Sequence, residues 1–182
     1  MMEYKKNYIK RMIFAALFAA LTAAVSPIKV PLGFTPVPIT LQTLMVLLSG
    51  AMLGANLGAL SQFLYVLVGA LGLPVFAGGG SGFGALLGPS GGFLFGFIAA
   101  AYIVGKLAEK TKKPSYLQLV IAMIIGSIVI YIFGVVGGLI VTGLPLAQIL
   151  IGWVLPFIIG DVVKLLAASF IALRFDISRY IK

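Results

Sequence analysis

The chain has 182 residues, of which 62% are hydrophobic and only 9% charged, with a mean hydropathy of +1.19; an ordinary soluble domain carries roughly a quarter of its residues charged, so this is the composition of an integral membrane protein. The net charge of +9 does not point to nucleic acid, because the basic residues cluster beside apolar runs and do not interleave with aromatics along a groove. With no Cys and no His, thiol chemistry, disulfides, the usual zinc sites and the commonest general base are all excluded.

Residues 1–11 are polar and carry Lys5, Lys6, Lys10 and Arg11, which predicts an amphipathic lead-in at the inner membrane surface. The first apolar run, residues 12–27, follows a basic start as a signal peptide does, but no A-x-A-like site in polar context ends it, so it is read as a retained helix. Ala15, Ala19 and Ala23 recur on one face, and Ala16, Ala20 and Ala24 form a second row beside it. Small residues at that spacing let another helix approach closely, either inside the protein or on a partner.

Residues 28–39, with Pro27, hold four of the nine prolines, so they form a structured loop and not a helix. A second apolar run opens at Thr40-Leu41-Gln42-Thr43 and reaches Gly54. A turn at residues 55–57 leads into a third, residues 58–73, which contains Gln62 and Tyr65. Gly50, Gly54 and Gly58 predict that these two helices make a tight hairpin. Residues 74–92 contain eight glycines alternating with apolar anchors, including Phe76 and Phe83. That suits a lid or re-entrant segment packed on protein, in which glycines such as Gly79 and Gly80 let backbone amides approach a ligand. A fourth run covers residues 93–108, a fifth 116–141 and a sixth 148–173, followed by a basic tail with Arg174, Arg179 and Lys182.

The expectation is therefore an all-α membrane protein, one domain of six transmembrane helices over residues 12–173. Basic clusters at the N-terminus, at residues 106–113 and in the tail place both termini in the cytoplasm by the positive-inside rule. The proline loop, the glycine-rich loop and the turn at residues 142–145 then face outward.

Asp161 and Lys164 break this pattern, because they lie inside the last apolar run. A charge at a bilayer centre costs roughly 2.5–3.5 kcal/mol on insertion scales and marks a pathway or a ligand site. Three residues apart, the two share a helix face and can pair. They would offer an acceptor and a cationic donor side by side, which suits a urea- or amide-like group or a carboxylate. An ion pair that only fixes packing and a proton relay through Asp161, as in a solitary secondary transporter, are the alternatives. With Asp161 counted some 13 residues into the last helix, the pair lies roughly 20 Å below its outer end. Thr40, Gln42, Thr43, Gln62 and Tyr65 supply neutral polar groups, and Phe76, Phe83, Phe93 and Trp153 apolar walls. There is no H-E-x-x-H, no second core carboxylate and no G-x-x-x-x-G-K-[ST] loop, so catalysis, ATP hydrolysis by this chain, a metal and a cofactor are not expected.

Four ordered blocks, Val37-Pro38-Ile39-Thr40-Leu41-Gln42-Thr43, Gly72-Leu73-Pro74-Val75-Phe76, Gly88-Pro89-Ser90-Gly91-Gly92-Phe93 and Pro156-Phe157-Ile158-Ile159-Gly160-Asp161 with Lys164, resemble BioY, the biotin-binding S-component of energy-coupling-factor (ECF) transporters. The resemblance covers residues 12–173. It implies a six-helix S-component in the plasma membrane of a prokaryote that holds biotin near the outer surface. It also implies delivery of the ligand with a transmembrane coupling subunit and two ATPase subunits. By that resemblance Asp161 and Lys164 contact the ligand, most simply at its ureido end, with Gln42, Thr43, Tyr65, Gly79, Gly80 and Phe93 around them, and Ala15, Ala19 and Ala23 dock the coupling subunit. Some family members carry an arginine near the third block where this chain has Phe93, Leu94 and Phe95, which leaves Lys29 or backbone amides as candidates for the ligand carboxylate.

Overall fold

The structure is a computed structural model that describes residues 2–111, 113–175 and 177, with side chains from residue 7 onward. Lys112, Arg179 and Lys182 of the predicted basic clusters, and the side chains of Lys5 and Lys6, lie outside the described residues. Helices α1 (Met2–Val25), α2 (Gln42–Leu53), α3 (Ala55–Ala70), α4 (Phe83–Leu86), α5 (Gly91–Ala108), α6 (Tyr116–Thr142), α7 (Leu146–Trp153) and α8 (Ile158–Arg174) make up most of the chain. A two-residue antiparallel ladder joins β1 (Lys29–Val30) to β2 (Ile39–Thr40) and ties the proline loop shut.

Among the described residues, four segments are long and apolar enough to cross a membrane: Asn7–Val25, Gly91–Ala108, Tyr116–Thr142 and Leu146–Arg174. The helices α2 and α3 are shorter apolar ones. Ile121, Ile124, Ile128, Ile132 and Ile140 of α6 and Val162, Val163, Leu166 and Phe170 of α8 are exposed. So broad an apolar surface would not be tolerated in water, and lipid is its solvent.

The central helix is α5, which packs against α2, α3 and α6; α1 lies on α2 and α3, and α8 on α2 and α6. Small residues allow these approaches. A Cβ on Gly137 would come within 2.7 Å of the Gly92 Cα, so α5 and α6 touch backbone to backbone where they cross. A Cβ on Gly58 would lie 2.8 Å from the Gly50 Cα, which makes the α2–α3 hairpin as tight as its glycines predict.

Several boundaries differ from the sequence reading, each for a local reason. Residues 2–11 are not a separate lead-in but the first turns of α1, which runs unbroken to Val25. Residues 55–57 are the first turn of α3, because Gly54 alone makes the connection at φ +82°, a conformation open to glycine. The last apolar run is broken: Val154 leaves helical geometry, Leu155–Phe157 form a 3-10 turn carrying Pro156, and α8 begins only at Ile158. Asp161 is therefore in the first turn of α8 and not deep within a continuous helix, where the N-terminal end of the helix dipole favours its negative charge. Gly143 closes α6 in left-handed geometry, its N–H donating to the Leu139 carbonyl at 3.1 Å.

The alanine rows on α1 also separate. Ala15 and Ala19 are buried and Ala23 partly so, because this face packs on α2 and α3, whereas Ala16, Ala20 and Ala24 are exposed.

Candidate functional site

A cavity of about 180 Å³ opens under the proline and glycine-rich loops, at the end of the bundle where α2, α5 and α8 begin. Its walls are apolar and largely aromatic, with Phe76, Phe93, Phe97, Trp153 and Phe157 among them, and its polar groups include Gln42, Thr43, Tyr131, Asp161 and Lys164. That combination is the usual make-up of a small-molecule site.

Asp161 and Lys164 are buried and paired, with the Lys164 Nζ donating to Asp161 Oδ1 at 2.7 Å. Thr43 Oγ1 also donates to Oδ1, at 3.0 Å, and accepts a longer contact from Lys164 Nζ at 3.4 Å. Tyr131 donates its hydroxyl to Oδ2 at 2.5 Å. A carboxylate has about four acceptor positions and an ammonium three donors. Three acceptor positions on Asp161 and two donors on Lys164 are thus occupied. The remaining acceptor and donor stand next to each other in a cavity that includes both residues, a complement to an edge bearing N–H beside C=O.

Gln42 adds to these polar groups. Its Oε1 accepts from Thr40 Oγ1 at 2.9 Å, and its Nε2 donates to the Tyr65 hydroxyl at 2.5 Å, leaving one amide N–H. Tyr65 in turn donates to the Val75 carbonyl at 3.0 Å, lies 3.3 Å from the Ser26 hydroxyl and meets the Phe76 ring edge-on with centroids 5.7 Å apart. It stands one layer behind the cavity, so the expectation of Tyr65 as a lining residue is corrected to one that fixes Gln42, Phe76 and the loop carbonyl together. Tyr65→Phe keeps the ring and removes this hub of hydrogen bonds. It is expected to lower unfolding stability by about 1 kcal/mol, read as a reduced thermal midpoint in detergent micelles.

Of the other anticipated residues, Gln42, Thr43, Gly80 and Phe93 line the cavity with Asp161 and Lys164. Gly79 does not: it turns the loop at φ +81° while Gly80 faces inward, the Gly80 carbonyl accepting from the Phe76 N–H at 2.9 Å. Phe83, expected as a wall, is 66% exposed on α4. Lys29 is exposed and lies over the glycine-rich loop beside Gly78, outside the cavity lining. Tyr131 and Ser90 were not anticipated. Tyr131 is one more polar residue in an apolar run of 27 residues, and only the packing of α6 on α8 reveals its acceptor. Among the described residues no group of three or more acidic side chains is placed to hold a metal.

Comparison with known proteins places the chain in a family. Residues 2–179 match the BioY family. The chain is similar to the biotin transporter BioY of Thermotoga maritima, 46% identical over 81% of this chain and 84% of that protein. It is 39% identical to the biotin transporter BioY of Rhizobium etli over 77% of this chain and 78% of that one. Its fold superposes on a crystal structure of the S-component for biotin from an ECF-type ABC transporter with a TM-score of 0.86, at 28% identity, covering 96% of this chain and 97% of that chain. With a family match across nearly its whole length, relatives of this closeness and a shared fold, the chain is a membrane protein of the BioY family and not an enzyme.

Proposed function

We propose that the chain is an S-component that captures biotin at the outer membrane face and delivers it through an ATP-driven ECF transporter. The observation that carries this reading is the buried Asp161–Lys164 pair, with one acceptor and one donor left over inside an aromatic cavity. Biotin's ureido ring presents the matching N–H and C=O, and its apolar ring system suits walls such as Phe93 and Trp153. The names of the relatives and of the structural neighbour support the same ligand. Thr43 and Tyr131 hold the carboxylate in place, and Gln42 supplies a further amide donor.

In this reading the chain crosses the plasma membrane of a prokaryote six times, with α2 and α3 inserted as a short hairpin and both termini in the cytoplasm. The described basic residues Lys10, Arg11, Lys106, Lys110, Lys113 and Arg174 belong to the end of the bundle opposite the cavity, where the positive-inside rule puts the cytoplasm. The coupling subunit docks on the exposed row Ala16, Ala20 and Ala24, because Ala15 and Ala19 are already used internally.

Purified protein is expected to bind biotin with a dissociation constant at or below micromolar. Biotin at 100 times that value stabilises the fold by about 2.7 kcal/mol, read as a thermal shift. In proteoliposomes the chain alone should retain biotin without accumulating it, and accumulation should require the coupling subunit and the ATPases. No thermal shift with biotin overturns the ligand. Accumulation by the chain alone, abolished by collapsing a pH gradient, overturns the coupling. Ala20→Trp should abolish accumulation by the complete complex while leaving biotin binding unchanged.

A further inference from the structure

A second cavity, of about 560 Å³, lies at the other end of the bundle. The helices α2, α5 and α8 begin at the first cavity and run toward the second, which Leu53, Ala108 and Leu173 line. The 18 residues of α5 span about 27 Å, close to the thickness of a bilayer's hydrocarbon core. The two cavities therefore sit at opposite membrane interfaces.

The lining of this second cavity divides by chemistry. Leu57 and Leu119 are buried apolar walls, while Leu173 at the end of α8 and Phe175 just beyond it are 47% and 61% exposed, so the apolar wall continues onto the outer surface of the bundle. Arg11 of α1 and Lys113 of the α5–α6 loop bring two exposed cations from separate elements. Neither forms an ion pair among the described residues. The carboxylate in the lining, Glu109, is turned to another use: its Oε1 accepts from the Ala55 N–H at 3.2 Å, at the start of α3.

We propose that this cavity binds an anionic phospholipid, its phosphate held by Arg11 and Lys113 and an acyl chain laid along Leu57, Leu119, Leu173 and Phe175. Charge complementarity selects the head group, since a guanidinium and an ammonium in one lining offer donors to phosphate oxygens at the level of the lipid head groups. The apolar wall that opens toward the bilayer selects a lipid over a free anion. This inference is independent of which molecule the outer cavity carries.

The test is native mass spectrometry of the full chain released from micelles containing equimolar phosphatidylglycerol and phosphatidylcholine. Phosphatidylglycerol is expected to be retained about 30-fold over phosphatidylcholine, the preference that two cations near the surface can supply. Excess inorganic phosphate should not displace it. The Arg11→Gln, Lys113→Gln double variant should fall to parity, with its lipid-free unfolding midpoint unchanged as evidence of folding. Lys106→Gln, an exposed cation outside the lining, should keep the preference. Equal retention of the two lipids by the parent chain overturns the proposal and leaves the cavity to a protein segment. Displacement by phosphate alone reduces it to an ion site, and an equal loss in Lys106→Gln reduces it to general surface charge; both outcomes overturn it.

Discussion

Asp161→Asn is expected to weaken biotin binding by roughly 10- to 150-fold, the equivalent of 1.5–3 kcal/mol for a hydrogen bond to a charged acceptor. The substitution keeps the shape of the side chain, so the loss isolates charge. Asp161 accepts from Lys164, Thr43 and Tyr131 and retains one acceptor position for the ligand. An amide in its place converts one oxygen into a donor, which would repel the Lys164 ammonium or the ligand N–H, or oblige the Tyr131 hydroxyl to turn and accept. The unliganded protein suffers as well, because Lys164 becomes a buried cation without a counter-charge. Breaking such a pair costs about 3–5 kcal/mol, whereas removing both partners costs much less. The Asp161→Asn, Lys164→Met double variant should therefore recover most of the thermal stability while failing to recover biotin binding. Calorimetric titration in detergent with parallel thermal unfolding reads both. Affinity within threefold of the parent for Asp161→Asn would show that the pair serves packing only.

That pair was legible in the sequence because it violates composition: two charges within an apolar run need a reason. The proline loop, the α2–α3 hairpin and the end of α6 at residues 142–145 were legible for a related reason, since each depends on prolines or glycines with distinctive backbone options, although the hairpin turns at Gly54 alone and not at residues 55–57. The break before α8 was only half legible. Pro156 announces a bend, but that the chain leaves helical geometry at Val154 and restarts at Ile158 depends on how Trp153 and Phe157 are buried. Tyr131 could not be assigned from sequence, because a tyrosine in a membrane helix has no period to expose it and its partner lies 30 residues away. The same holds for which alanine row faces inward. Both rows have the spacing for close approach, and only the placement of α3 decides between them.

The apolar half of the site leads to the second large effect, in which alanine at Gly134 and Gly138 together is expected to cost more affinity than either alone. These glycines lie one turn apart on α6, and each is covered by a ring that lines the cavity. A Cβ on Gly134 would strike Phe93 and one on Gly138 would strike Trp153, both of them buried. Gly69 on α3 holds Phe76 in the same way. Moving α6 back from α5 to absorb the methyl would open the backbone-to-backbone contact at Gly92 and Gly137, so the side chain is the softer element. The ring moves instead, and the empty side available to it is the ligand cavity. Overpacking of a fitted site costs about 1–3 kcal/mol per methyl, so each substitution should weaken biotin binding by roughly 5- to 150-fold. The unliganded protein should lose little stability, because its displaced ring enters open space, and the helix gains from replacing glycine. Affinity and stability therefore separate here, whereas Asp161→Asn lowers both. Gly160→Ala is the matched control: it lies beside Asp161, but a Cβ there meets nothing within 4 Å, so binding should be unchanged. Parent-like affinity for Gly138→Ala, or an equal loss for Gly160→Ala, would mean that Trp153 does not bound the ligand and that the polar pair acts without a fitted apolar wall.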